Sequence, residues 1–336
     1  MLIGNLLSYF FLAEWLSSSN PLLYLLGLVV YAIAVAIVIS VFAYCFGWIE
    51  RKIIAKVQHR HGPTYVGKYG ILQNLADLVK LLAKQQTVPD TADKPVLYLS
   101  IMLVLAISTF IIFLLPLSPT LQASNLGFGL LAIFVIIAFF PMLIFLTGFS
   151  SGNKFADISA QRSVLIMIAY EIPMMIVVAA AALLSRGYNI QSLITMQSSN
   201  YFVVLMPIGF VVFFIVMLAE LERPPFDLKE ADSELIAGWL TDISAPFYAF
   251  ALFIDYTRMF MGSLLIAILF FGGWYGPLLP PEVWLLIKAV IISLFIVVIR
   301  ATTMRMRIDR ILRTGWWYLV PLSLINLLLV YILFVG

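Results

Sequence analysis

The sequence is poor in charge and in the side chains that hold metals. Only 11% of its 336 residues are charged, against roughly a quarter in an ordinary soluble domain. That shortage excludes a soluble globular protein, a disordered tail and a nucleic-acid-binding module. Cys45 stands alone, so an intramolecular disulfide is excluded. So is an iron–sulfur cluster held by this chain's own thiolates, which normally takes four cysteines. The two histidines, His59 and His61, flank Arg60. An i, i+2 pair does not converge on a helix, so a surface loop is expected there. No metal site and no cofactor bound by this chain alone are therefore expected. The N-terminus lacks the basic region and small-residue cleavage site of a secretory leader. The small-residue segment Gly148 to Lys154 lacks the Gly-Lys-Ser/Thr ending of a phosphate loop.

Apolar residues are abundant. Hydrophobic side chains make up 63% of the chain and its mean hydropathy is +1.07. Apolar runs of about 20 residues, each long enough for a bilayer, recur from Leu22 onward. Spans are predicted over 22–45, 96–117, 127–148, 164–185, 202–220, 244–271, 283–300 and 316–335. The fold class expected is all-α and integral to the membrane, with about eight transmembrane helices in a single polytopic domain, 1–336. The apolar stretch before Leu22 reads as an interfacial segment or an extension of the first span.

Charge orients the bundle. Of 20 lysines and arginines, 17 fall in the 1–2, 3–4, 5–6 and 7–8 connections. The positive-inside rule places that face in the cytoplasm. The cytoplasmic loops are then about 46–95, 149–163, 221–243 and 301–315. In the first loop, Ile71, Leu72, Leu75, Leu78, Val79, Leu81 and Leu82 recur at helical spacing, opposite Asp77, Lys80 and Lys84. This predicts an amphipathic helix lying on the membrane surface, packed on neighbouring spans, or both.

The acids are clustered too. Seven of 17 lie between Glu220 and Asp242, offset locally only by Arg223 and Lys229. Pro224-Pro225 breaks the chain after the fifth span. Asp227 then suits a helix N-cap, with Glu230 at the capping-box position. Asp227, Glu230 and Glu234 share one helical face. Crowded carboxylates raise one another's pKa and can hold and pass protons; a solvated acidic loop with capping carboxylates has the same spacing. Inside the spans stand Glu171, Asp255, Arg258 and Lys288. Such groups are costly in lipid and usually face the bundle interior or water. Glu171 has no sequence-local partner, which suits a proton relay. Asp255 and Arg258, three apart, are expected to pair. Lys288 is expected to snorkel to the outer interface.

These residues also carry a resemblance. Ala219 to Leu235 reads AELERPPFDLKEADSEL, similar to the signature AExNRxPFDLxExESELVxG of the H subunit of respiratory complex I. A second match starts at Glu50-Arg51-Lys52 and runs through Arg60, Gly62-Pro63, Val66-Gly67, Gly70, Leu72-Gln73 and Ala76-Asp77 to Lys80-Leu81. A third runs from Ser150-Ser151 through Arg162 to Tyr170-Glu171. A fourth joins Arg300-Ala301-Thr302 to Arg305, Arg307, Asp309, Gly315-Trp316 and Pro321-Leu322. The sequence departs from the pattern in places. Glu222 stands where the family usually has Asn, Lys229 where it has Pro, and Asp replaces Glu at 232, 242 and 255. Met304 replaces a Pro, Trp317 a Lys and Ile166 a Gln.

The resemblance implies a membrane-anchor and coupling subunit of a complex I-like respiratory oxidoreductase in a prokaryotic cell membrane, including membrane-bound hydrogenase relatives. Its partners would be the iron–sulfur and large catalytic subunits of a cytoplasmic arm, antiporter-like membrane subunits and lipid, but no nucleic acid. Iron–sulfur clusters would sit in partner subunits, and a quinone at the interface with them. Glu171, Glu220, Asp227, Glu230, Asp232, Glu234, Asp242 and Asp255 would form an acidic funnel relaying redox-driven changes to ion-pumping subunits. Arg51, Lys52, Arg60, Gly62, Pro63, Gln73, Asp77, Arg162, Arg223, Arg305 and Arg307 would face the arm or the quinone chamber. No catalytic residue is assigned. A self-sufficient ion transporter or channel is the alternative, although no inverted repeat is evident. A magnesium-dependent membrane enzyme would favour two separated aspartate motifs in place of one Glu-rich cluster.

Overall fold

Helix boundaries follow local chemistry. Asn20 accepts a hydrogen bond from the Leu22 N–H (3.2 Å), and Pro21 opens the first helix, α1 (Pro21–Val57). Proline suits a first helical turn because its missing N–H has no partner there anyway. Asn153 caps α6 (Lys154–Leu184) through the Phe155 N–H at 3.0 Å. Prolines likewise open α3 (Lys94–Leu114), α5 (Phe140–Ser150), α9 (Pro207–Glu220), α10 (Pro246–Phe270) and α11 (Pro281–Thr302). The remaining helices are α2 (Gln73–Ala83), α4 (Gly129–Ile137), α7 (Ile190–Met196), α8 (Phe202–Leu205), α12 (Ile308–Arg313) and α13 (Val320–Val330). These elements come from a computed structural model, which describes residues 16, 20–123, 125–229 and 235–335.

The chain is an all-helical multispan membrane protein. Among the described residues, seven helical segments are long and apolar enough to cross a membrane. The sequence predicts eight spans, and the fifth departs from that expectation. Met206 has a non-helical backbone (φ −136°, ψ 68°), so residues 202–220 divide into α8 and the 14-residue α9. At 1.5 Å per residue α9 is about 21 Å long, short of a hydrocarbon core of about 30 Å. Pro207, which cannot donate a backbone hydrogen bond, begins α9 at that break.

Several expected loops are largely helix. The first helix runs 37 residues, about 55 Å. It carries Glu50, Arg51 and Lys52 well past the span predicted to end at residue 45. The 149–163 connection shrinks to a tight turn between α5 and α6, so Arg162 stands on a helix. Helices α6 and α10 form the centre. The former packs on α5, α9 and α13, and the latter on α1, α3 and α11. Every residue from Thr257 to Phe270 in α10 is buried. On the perimeter, Leu22, Leu25, Val29, Ile33, Ile37 and Val41 of α1 form an exposed stripe, while Tyr31, Val35, Ile39 and Phe46 point inward. A helix apolar on all sides suits a bundle whose solvent is lipid.

Polar side chains close the backbone where helices stop. Asn326 accepts from the Gly209 N–H (3.0 Å), an unpaired donor in the first turn of α9. Buried Gln197 donates to the Ile268 carbonyl and accepts from the Gly272 N–H. Lys288 donates to the carbonyls of Phe271, Gly273 and Tyr275. Its ammonium thus caps the C-terminus of α10, where a cation is favourable. It does more than reach for the interface, as the sequence alone suggests.

Candidate functional site

The site is built where the 221–229 segment folds back among α1, α6, α10 and α11. Its side chains form a buried chain of alternating charge. Lys229 Nζ lies 3.1 Å from Glu222 Oε2 and 3.1 Å from Asp255 Oδ1. Arg258 Nη1 lies 3.0 Å from the same Glu222 oxygen, and Nη2 lies 3.7 Å from Glu220 Oε1. Arg258 also donates to the Glu220 carbonyl, and the Ser163 hydroxyl donates to Glu222. The Lys229 ammonium lies over the Trp239 ring at 5.3 Å, and the Arg258 guanidinium over Phe140 at 4.9 Å. Lys229 is 3% exposed and Arg258 2%. Glu171, half-buried on α6, lies within electrostatic range of Glu220.

A second part adjoins the first. Arg223 Nη1 donates to Glu50 Oε1 at 2.9 Å, and Arg300 from the end of α11 donates to the same oxygen. Tyr256 hydrogen-bonds Glu50 and carries the Arg223 guanidinium over its ring at 5.6 Å. Asp255 feels the charge of both Arg223 and Arg258. Glu50, Glu220, Glu222 and Asp255 are thereby matched by Arg223, Lys229, Arg258 and Arg300 among the described residues. Balance matters because an uncompensated charge in such a place costs several kcal/mol. Burial works against the Glu222 charge, but Lys229 and Arg258 outweigh it and hold the carboxyl below its ordinary range. The cleft among these groups, lined by Leu221, Pro224 and Arg300, admits no more than a water molecule.

The expected Asp255–Arg258 pair does not form. Although i, i+3 spacing permits it, the folded-back segment offers both groups nearer partners. Arg258 takes a carboxylate and a carbonyl from Glu222 and Glu220, and Asp255 takes Lys229. Asp227 lies 3.7 Å from Arg305, and the Met306 N–H donates to the Pro225 carbonyl, so the first and fourth matched segments meet. Glu230, Asp232 and Glu234, with the helix that Asp227 would cap, lie outside the described residues. Asp242 has a buried Oδ2 without a hydrogen-bond partner among the described residues.

The chain's surface residues assemble differently. Arg51 donates to Asp77 at 2.6 Å, and Gln73 to the same carboxylate at 3.0 Å. Burial raises the Asp77 pKa, but the bonds from Arg51 and Gln73 with the charges of Arg51 and Lys80 together outweigh it and lower the pKa. Lys52 lies over Trp48 at 5.9 Å, and Arg60 donates to Gln58. Gly62 packs on Lys52, and the Pro63 carbonyl presses against Gly70. Arg162 is half-buried in α6. Arg307 lines an open basic cleft with Asp309, Arg310, Arg313 and Tyr318. His59 and His61 are exposed in the loop.

The comparisons with known proteins bear on this arrangement. The family model described as NADH dehydrogenase matches residues 29–331. The chain belongs to this family, the H subunits of NADH dehydrogenases. It is 34% identical over 305 residues to an H subunit of the NADH-quinone oxidoreductase of Syntrophobacter fumaroxidans, covering 88% of this chain and 92% of that one. To the NADH-quinone oxidoreductase H subunit of a Geobacillus species it is 36% identical over 283 residues, covering 83% and 85%. To the F420H2 dehydrogenase H subunit of Methanosarcina acetivorans it is 34% identical over 298 residues, covering 83% and 86%. The fold brings the carboxylate at 222 and the ammonium at 229 into contact. Read along the chain, nothing joins the two. Glu50 and Arg300 carry no role in that reading, and nothing in it singles out Tyr256. The signal in the sequence for this pairing is two opposite charges, Glu222 and Lys229, seven residues apart.

Proposed function

We propose that this chain is the membrane-anchor and coupling subunit of a complex I-like respiratory oxidoreductase. Its basic face docks a cytoplasmic electron-transfer arm, and its acids relay redox-driven changes to ion-pumping antiporter-like subunits. The observation that carries this reading is the buried ionic chain. It runs from Glu50 and Arg300, at the arm-facing ends of α1 and α11, through Asp255, Lys229, Glu222 and Arg258 to Glu220 and Glu171. Acids so placed in an apolar bundle are expensive and are kept where charge must move. Relatives are named as subunits of NADH-quinone oxidoreductase and F420H2 dehydrogenase. Redox centres belong to partner subunits on this reading, since Cys45 is the only thiol. The central cleft is too small for a quinone ring, so a quinone would be held between this chain and a partner.

Two experiments test this. Mild-detergent purification from native membranes should bring down iron–sulfur proteins and antiporter-like subunits; a chain that purifies alone points to an independent transporter. In the complex, Glu171→Gln should leave electron transfer to a soluble dye intact and abolish the ion gradient. An unchanged gradient removes Glu171 from the relay.

A further inference from the structure

Three of the four cations in the buried chain are arginines. A guanidinium does not release its proton in a protein, so Arg223, Arg258 and Arg300 can fix charge but cannot carry a proton. Lys229 differs. Its ammonium has three rotatable donors on a flexible stem, and a lysine, unlike an arginine, can give up a proton and take it back. It touches two carboxylates on different elements, Glu222 in its own segment and Asp255 on α10, each at 3.1 Å. No other basic group bridges the Asp255 and Glu222 ends among the described ion pairs.

We infer that Lys229 is a proton-carrying member of the coupling chain, and that Glu222 and Lys229 act as one charge-compensated unit. The inference rests on the relay reading given above. In the transfer, an N–H bond of the ammonium breaks and an O–H bond forms on the Glu222 carboxylate. The amine lone pair then takes the proton of a protonated Asp255. The net result is one proton moved from Asp255 to Glu222, with Lys229 again an ammonium. Arg258, which touches both Glu222 and Glu220, holds the receiving end in place. Among the described residues, Lys229 faces Glu222, Asp255 and the Trp239 ring, with the charges of Arg223 and Arg258 beyond them. The Ser159 hydroxyl pins its backbone by donating to the Lys229 carbonyl at 2.6 Å.

The test uses the intact complex in native membrane vesicles driven by the host's own electron donor. Assembly, electron transfer to a soluble dye and membrane potential are read together. Lys229→Arg keeps the charge and the ion pairs but holds its proton. It should assemble and reduce dye at the parental rate, while potential builds at least about tenfold more slowly. The paired variant Glu222→Gln, Lys229→Gln keeps both the charge balance and the approximate side-chain lengths. It should assemble like the parent and also fail to build potential, whereas Lys229→Gln alone should assemble poorly. Parental potential in either Lys229→Arg or the paired variant overturns the proton-carrying role. Assembly of the paired variant no better than that of Lys229→Gln overturns the charge-compensated unit. If the larger guanidinium keeps Lys229→Arg from assembling in a cleft that admits no more than a water molecule, the paired variant, which introduces no larger group, decides alone. Glu171→Gln run alongside separates the two levels. If it abolishes the gradient and the Lys229 variants do not, only the lysine inference fails; if it leaves the gradient intact, the relay reading fails first.

Discussion

Gly238 shows how tightly Lys229 is held. Its φ is +58°, and a Cβ there would stand 1.6 Å from the Lys229 carbonyl and 2.9 Å from the Ser159 hydroxyl. Gly238→Ala should therefore force the Lys229 backbone away and pull its ammonium from Asp255. Overpacking of this kind costs roughly 1–3 kcal/mol. Thermal unfolding of the purified complex should show that loss, together with the slowed build-up of potential expected of Lys229 variants; a parental melting profile contradicts the packing. Asp77 is the contrasting case, because its pair with Arg51 is exposed (27% and 43%). Exposed pairs contribute roughly 0.2–1 kcal/mol. The folded pKa of Asp77 is depressed below its ordinary 3.8. Its contribution is thus fully present above the ordinary value and disappears as pH falls through the lowered one. Asp77→Asn should accordingly lower stability slightly at pH 7, with the difference vanishing in acid. A difference that grew on acidification would contradict this sign.

At the scale of elements, the ends of helices matter most, because lipid cannot satisfy a bare backbone group. Asn326→Leu would strip the Gly209 N–H of its acceptor at the start of α9. A buried donor left unmet costs roughly 1–3 kcal/mol, and the loss should appear in the melting temperature of the complex in detergent. Pro173 lies two residues after Glu171 in α6 and cannot donate to the Ala169 carbonyl. Gly315 packs there, its Cβ position 3.2 Å from that carbonyl, and Tyr170 donates to the Ile311 carbonyl at 3.0 Å. The third and fourth motifs therefore touch beside Glu171. Helix α2 shows a different solution. Its edge of Asn74 and Asp77 docks on α1, and its apolar residues Leu75, Leu78, Val79 and Leu82 stay exposed. Packing on a span and presenting an apolar face outward are thus both realised, with the polar edge making the contact. The periodicity of residues 71–82 is legible in sequence. Which edge docks is not, because it depends on Tyr44, Trp48 and Arg51 one helix away.

For the whole molecule, the positive-inside rule assigns the face bearing 17 of 20 cations to the cytoplasm. Leu278, fully exposed in the connection between α10 and α11, should then lie outside, and exposed Asp309 inside. In a Cys45→Ser background, Leu278→Cys should react with a membrane-impermeant maleimide on intact cells, and Asp309→Cys only after permeabilisation. The reverse pattern would invert the docking face.

Composition and hydrophobic run length alone determined the membrane class, the helical content and the side on which charge collects. Those properties depend on how each segment partitions between water and lipid, which is local to the segment. Motif order determined the family for the same reason, since it is read along the chain. Partner choice was decided only by the tertiary structure. Arg258 binds Glu222 and Glu220 in preference to Asp255, Lys229 bridges Glu222 and Asp255, and Glu50 is shared by Arg223 and Arg300 from 173 and 250 residues away. A buried charge takes whichever opposite charge the fold brings within about 3 Å, because in a low-dielectric interior an unpaired one is too costly to leave. That distance is set by how α1, α6, α10 and α11 pack, and no local sequence pattern encodes it.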